Sequence, residues 1–217
     1  MIVIKEAVSK RDIKTFVKFP FSLYKNSKYW VPPIISEEVK VFDKNTNPVL
    51  ENADAKLFIA YKNGIVVGRI AAIINWIEVN DQGLRKIRFG WMDMIDDIEI
   101  TKLLLGKVKE IGKANNLEYM EGPIGFSNLD KVGVLTYGFE EVGTMITWYN
   151  PAYYVDHFNQ LGFKVDVFSV KDIPLIQLDV YQAVVLGIKI YNVKPELLNF
   201  GVFRSNFAYP LPVIIKA

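Results

Sequence analysis

Apolar residues alternate with others from the first position, Ile2 and Ile4 against Val3 and Lys5, which predicts a strand. Ser9 followed three residues later by Asp12 marks a helix start, because a serine oxygen and an acid at that spacing can each satisfy a free backbone N–H. Phe16, Phe19, Phe21, Tyr24, Tyr29 and Trp30 surround Pro20 and precede Pro32 and Pro33, so this helix is expected to end in a proline-punctuated loop. The spacing of Phe16, Phe19 and Leu23 fits a helix's core face. A second short helix is predicted over 34–42. Stretches 55–61 and 65–74 are apolar and β-rich and flank Lys62-Asn63-Gly64, where Asn-Gly supplies the positive φ angles of a tight hairpin.

Residues 86–95 read as a fourth strand. After them Ile100, Leu103, Leu104, Val108, Ile111 and Ala114 recur at helical spacing, interrupted by Gly106 and Gly112. A short strand at 119–121 is stopped by Gly122-Pro123, a loop rich in Gly, Ser and Asn follows, and 145–149 is read as another strand. Asn150 as cap and Pro151 at a first helical position open a helix to Leu161, closed by Gly162, and 163–170 returns as a strand. One hairpin and two crossovers in this order predict a mixed sheet rather than an all-parallel one.

The 217 residues carry no cysteine and one histidine, 51% are hydrophobic, and 26 basic residues against 24 acidic leave a formal net charge of +2. Disorder and a disulfide scaffold are excluded, and the dispersed basic residues give no nucleic-acid surface. No basic and apolar leader opens the chain, and no apolar run approaches the roughly 20 residues of a membrane span, so a cytoplasmic protein is expected. No metal site is expected either, and His157 is read as an exposed helix residue.

Residues 150–164, Asn-Pro-Ala-Tyr-Tyr-Val-Asp-His-Phe-Asn-Gln-Leu-Gly-Phe-Lys, resemble the helix and strand that close the core of GNAT acyltransferases, which often end in Leu-Gly-Phe. Phe19-Pro20-Phe21, Leu23-Tyr24, Trp30-Val31-Pro32-Pro33, the string from Val67-Gly68-Arg69 to Ile73, and Gly122-Pro123 resemble an uncharacterised bacterial GNAT-like family of generally longer proteins. The resemblance covers residues 1–170 and implies an α/β GNAT-like acyl-CoA N-acyltransferase fold, a mixed central sheet with flanking helices. Residues 171–217 read as a hydrophobic C-terminal extension, whose last 45 residues carry six charges, with apolar clusters at Val184-Val185-Leu186 and Val213-Ile214-Ile215. The extension is expected either to pack back on the domain or to bury itself in a partner subunit, and because the sheet looks complete by residue 170 a homodimer is the favoured of the two.

The resemblance further implies acetyl-CoA or another acyl-CoA lying in a V between strands four and five, and transfer of its acyl group to a small-molecule or peptide amine. The cofactor would then meet Met94, Ile95, Asp96, Asp97 and Asn150. Asp96 and Asp97 are good helix caps whose charges would oppose a pyrophosphate, so weak CoA binding is expected. N-acylation needs a base for the ammonium and an acid for the leaving thiolate. Asp93, between Met92 and Met94, and Glu121, before Gly122-Pro123, are the candidate bases. The family's usual acid is a tyrosine three residues before the Leu of Leu-Gly-Phe. Phe158 stands there, so the role passes to Tyr154, Tyr153, Tyr149 or water. Ser127 and Asn128, with Tyr149, are candidates for holding the acceptor. A catalytically silent ligand-binding or dimerising module is the alternative.

Overall fold

Ser9 caps the first helix as its spacing predicts: its hydroxyl accepts the Asp12 N–H at 3.1 Å, while the Asp12 carboxylate accepts the Ser9 N–H at 3.1 Å. A computed structural model describes residues 1–127, 130–143 and 148–163, and the backbone of 168–169, 199–206 and 215–216. The strands are β1 (Ile2–Glu6), β2 (Ala53–Lys62), β3 (Ile65–Asn75), β4 (Lys86–Met94), β5 (Tyr119–Gly122), β6 (Val134–Tyr137), β7 (Phe168–Ser169), β8 (Asn199–Asn206) and β9 (Ile215–Lys216). The helices are α1 (Lys10–Leu23), α2 (Ile35–Val41), α3 (Trp76–Asn80), α4 (Ile98–Ala114) and α5 (Tyr153–Gln160).

The sheet is mixed, in the order β1-β2-β3-β4-β5-β8-β6. β2 and β3 form the hairpin expected at Asn63 and Gly64, both with positive φ. β8 corrects one expectation. This strand, from the C-terminal stretch, pairs antiparallel with β5, so the sheet is not complete by residue 170. Val184, Leu186 and Ile214 lie outside the described residues, as do 145–147 of the strand expected at 145–149 and 164–167 and 170 of the one expected at 163–170. Tyr149 itself is in no strand.

Two apolar layers cover the sheet. On one face Ile87, Phe89, Met92 and Met94 of β4 pack with Ile100 and Leu104 of α4 and with Tyr154 and Phe158 of α5. On the other, Trp91 packs with Phe16 and Val17 of α1 and with Phe126. β4 changes parity between its ends. Its ladder with β3 pairs Gly90 with Ala71 and Asp93 with Arg69, so Trp91 and Met92 together oppose Ile70. This is a bulge, with Trp91 in the left-handed region at φ 44°. The extra residue turns Asp93 toward α1 instead of leaving it on the face of Ile87 and Phe89.

β4 and β5 run parallel, as the crossover through α4 requires, and pair from Lys86–Tyr119 to Arg88–Glu121. One more bond follows, from Ile124 N–H to the Phe89 carbonyl at 2.8 Å. A Cβ on Gly90 would collide with the Ile124 carbonyl and one on Gly122 with the Phe89 carbonyl, so the two glycines permit the closest approach of the strands. Beyond Gly90, β4 runs on to Met94 with no ladder partner from β5, and among the described residues a gap opens in the sheet there.

Candidate functional site

The gap is where the chemistry collects. Ile95 N–H turns to the Val67 carbonyl of β3, at 3.0 Å, so alternation along the strand sends the N–H and C=O of Met94 the other way, into the gap. Both are occupied by tyrosines of α5. Met94 N–H donates to the Tyr154 hydroxyl at 3.0 Å, and the Tyr153 hydroxyl donates to the Met94 carbonyl at 2.6 Å. Tyr154 packs within the α4 layer, yet its hydroxyl reaches through the sheet to the α1 side.

There it meets Asp93. This carboxylate is buried opposite Arg69, whose Nε and Nη2 both contact Oδ2, at 2.8 and 2.7 Å. Arg69 Nη1 also donates to the Phe16 carbonyl at 3.1 Å. That carbonyl is free because its helical donor would be the N–H of residue 20, and residue 20 is proline. The helix runs through Pro20 to Leu23 rather than ending before it, and the carbonyl so released becomes a seat for the guanidinium. The second carboxylate oxygen of Asp93, Oδ1, accepts the Tyr24 hydroxyl at 2.7 Å. Since the Tyr24 hydroxyl directs its proton at Asp93 Oδ1, the 3.2 Å contact between the hydroxyls of Tyr24 and Tyr154 has Tyr154 as donor. Burial first, and then the negative charge of Asp93, push both tyrosines well above the usual phenol range, and burial with the charges of Asp96 and Asp93 raises Tyr153.

α5 is fixed by His157. The residue is buried, not exposed as expected, because it bridges two elements: Nδ1 lies 2.8 Å from the Thr101 hydroxyl of α4 and Nε2 lies 3.1 Å from Asp96 Oδ1. Asn150 is not the cap of α5; that position is Ala152, without a side-chain bond. The Asn150 amide instead accepts from Leu135 N–H at 2.7 Å and donates to Leu135 C=O at 3.1 Å, tying the approach to α5 onto β6. Asp97 is the cap of α4, accepting Glu99 N–H at 3.1 Å, and also pairs with Lys62 Nζ at 2.8 Å. The Lys62 bond, ahead of the backbone donors, holds its carboxyl below the usual range.

Glu121 stands apart from this group. It is fully buried and contacts Lys86 Nζ at 2.7 Å. Lys86 also meets Glu78, and Glu78 is held by Arg88 through Nε at 2.8 Å. These four form an ionic cluster at the paired end of β4 and β5, whereas Asp93 lies at the open end. On the face of Trp91, beside α2, is an open cleft of about 480 Å³ lined by residues that include Trp91, Phe126, Ser127, Asp130, Glu38 and Lys131. Trp91 Nε1 donates to Glu38 at 2.7 Å, and Ser127 N–H to Asp130 at 2.8 Å. Tyr149 closes on Tyr24, ring centroids 5.4 Å apart, and Asn128 lies outside the described residues.

Of the expected residues, the structure thus brings Asp93, Met94 and Tyr154 together at the gap, with Asp96 and Asp97 at the adjoining helix start and Ser127 in the cleft. Arg69 and Tyr24 were not foreseen as members. Each had a signal: an arginine within the apolar run from Ile65 to Ile74, and a tyrosine at the end of a core-facing helix.

A parallel β4–β5 pair that parts at its C-terminal end, with one helix crossing over and another closing the gap, is the GNAT fold, and the chain has it. Among solved structures it superposes on an N-acetyltransferase from Staphylococcus aureus Mu50 with a TM-score of 0.54 at 12% identity, over 95% of this chain and 99% of that one. It also superposes on a GNAT phosphinothricin acetyltransferase from Sinorhizobium meliloti, solved with acetyl-CoA, at 0.53 and 12%, over 94% and 88%. By sequence it is 28% identical to Protein YghO of Escherichia coli K12 over 161 residues, 74% of this chain and 41% of that one. It is 27% identical to the bacterial ceramide synthase of Caulobacter vibrioides over 173 residues, 76% of this chain and 45% of that one. The chain therefore spans less than half the length of these curated relatives. No protein-family model matches it. No helix among the described residues is long and apolar enough to cross a membrane.

Proposed function

We propose that the chain is an acyl-CoA-dependent N-acyltransferase acting on a primary amine. The observation that carries this reading is the line Asp93–Tyr24–Tyr154 ending on the Met94 N–H inside the β4–β5 gap. The donor set suits an acyl-CoA in kind: the Met94 N–H for its thioester oxygen, the Met94 C=O for an amide N–H of its arm, and Lys62 with the α4 terminus for its phosphates. Bound acyl-CoA supplies the activated thioester whose C–S bond breaks as the new C–N bond forms.

The chain's own residues then handle protons. The acceptor ammonium gives one proton to Tyr154 Oη, which passes its own to Tyr24 Oη, which in turn passes its proton to Asp93 Oδ1. Met94 N–H holds the oxygen on which negative charge develops. After attack, Asp93 returns its proton along the same line, so Tyr154 Oη protonates the leaving sulfur, and the second amine proton goes to water. Arg69 keeps the Asp93 carboxylate in place throughout. The cleft beside Trp91, Glu38 and Ser127 opens on the same face and receives the acceptor. A ceramide is an N-acylated long-chain amino alcohol, and the relative bearing that name directs the choice of acceptor to amines of this kind.

Thiol release from acetyl-CoA and palmitoyl-CoA in the presence of sphinganine and short primary amines tests the proposal. Release that depends on the amine and falls at least a hundredfold in Asp93→Asn is expected. Amine-independent release, or full activity in that variant, sinks it. The silent-module reading is favoured by one observation, the Asp97 cap and Lys62 pair at the α4 terminus. It predicts no thermal shift with acetyl-CoA, where ligand at a hundredfold its Kd would add about 2.7 kcal/mol.

A further inference from the structure

We propose that α5 is a latch that competes with the ligand: the hydroxyls of Tyr153 and Tyr154 occupy the two Met94 backbone groups that an acyl-CoA must take. The inference rests on the acyl-CoA reading and goes beyond it by assigning the closed arrangement to the chain's own tyrosines.

Three features support it. Met94 is the residue of β4 whose N–H and C=O face the gap past the last β4–β5 bond, and both are bonded to adjacent residues of one helix, at 3.0 and 2.6 Å. Tyr154 fills the gap bodily, since it belongs to the α4 layer and touches Tyr24 of α1 on the opposite side of the sheet. The helix is short, eight residues, enters without a side-chain cap, and is pinned by one histidine to Thr101 of α4 and to the exposed Asp96 just ahead of α4. Tyr154 and Phe158 seat this helix on the core from one side only, and its side-chain hydrogen bonds to the α4 side run through a single histidine, so it has fewer holds than β4, which is packed on both faces.

The latch sets apparent affinity. A ligand that binds the open arrangement is weakened by the fraction of molecules that are open, and removing a latch bond raises that fraction. It also orders the chemistry. A carbonyl that takes the Met94 N–H leaves the Tyr154 hydroxyl displaced but still bearing its proton beside the reacting centre.

Calorimetric titration with acetyl-CoA tests this on the wild-type chain, Tyr153→Phe, Tyr154→Phe and Thr101→Val. The last removes a pin without entering the gap, so it separates release of the helix from a local change at Met94. About fivefold tighter binding in Tyr153→Phe and Thr101→Val is expected, together with faster amide exchange in α5 of the wild-type chain on adding acetyl-CoA. Circular dichroism identifies variants that have kept the fold. Binding by wild type with no gain in any folded variant, or α5 exchange that slows or stays constant, overturns the latch and leaves the acyltransferase reading standing. Absence of binding in all four proteins overturns both.

Discussion

The hydroxyls of Tyr24 and Tyr154 meet 3.2 Å apart although one side chain comes from α1 and the other from α5, on opposite faces of the sheet. Such a meeting needs a hole between strands, and the parting of β4 from β5 after Gly90 provides it.

Both phenols are held protonated by burial and by Asp93, so the unfolded chain loses protons near pH 10 that the native one keeps. Their contribution to stability is complete below that pH and is lost as pH rises from about 10 toward the higher native values. Denaturant midpoints measured from pH 8 to 11 should fall along the alkaline limb, and Tyr24→Phe should flatten the fall. An alkaline limb as steep in the variant as in wild type contradicts this.

Asp93→Asn leaves the Arg69 guanidinium buried without its anion, a loss of about 3–5 kcal/mol. Tyr24→Phe removes two hydrogen bonds, one of them to the Asp93 carboxylate, and should cost about 2–4 kcal/mol. Urea unfolding measures both. The double variant Arg69→Met with Asp93→Leu should be less destabilised than either single replacement; additive losses would mean the two groups are not coupled.

Burial pushes the carboxyl of Glu78 up, but bonds from Arg88 and then Lys86 outweigh it and hold the group below its ordinary value. Its contribution is present above the unfolded value of about 4.3 and is lost as pH falls through the lower native one. Glu78→Gln should therefore be destabilised at pH 7 and lose less further stability than wild type between pH 5 and 3. Parallel acid curves for the two proteins would refute the assignment.

Asp97→Asn keeps an oxygen for the Glu99 N–H while removing the charge and freeing Lys62. Acetyl-CoA should bind about fivefold tighter, on the order of 1 kcal/mol for one like charge moved out of reach in a solvated setting. Calorimetry reads the change, and an unchanged or lower affinity in the folded variant would place the phosphates away from the α4 terminus.

Gly90→Ala drives a methyl group into the Ile124 carbonyl, and neither strand can retreat without breaking the Ile124–Phe89 bond. A loss of about 1–3 kcal/mol in denaturant unfolding is expected. Gly106→Ala, on open helix surface, should instead gain up to about 1 kcal/mol. Equal effects at the two sites would show that the strand approach is slack.

The sequence made much of this legible where local chemistry decides. The Ser9–Asp12 capping pair, the Asn63-Gly64 turn and the periodic face of α4 depend on neighbours a few residues away. Asp93 was readable as an interesting acid, yet not its partner or its face, because a simple alternation count from Phe89 passes over the extra residue at Trp91 and puts Asp93 in the wrong layer. Glu121 and His157 carry the opposite lesson. Each ionisable side chain reads as a surface or cleft group until contacts distant in the chain, Lys86 for one and Thr101 for the other, show how it is buried. The place of β8 depends on a pairing across nearly 90 residues of chain, from Tyr119 to Asn206, and no local pattern encodes that.

Pro20 gives the first helix a mechanical role. A helix made only of self-satisfied turns could slide or roll against the sheet with little polar resistance. By lacking one N–H, Pro20 leaves the Phe16 carbonyl to Arg69, and the same guanidinium grips Asp93. The carboxylate is thereby coupled to the orientation of α1 through a single rigid plane. Any movement of α1 is transmitted to the acid at the gap, so this helix, with no side chain of its own on Met94, sets the alignment of the groups that do reach it.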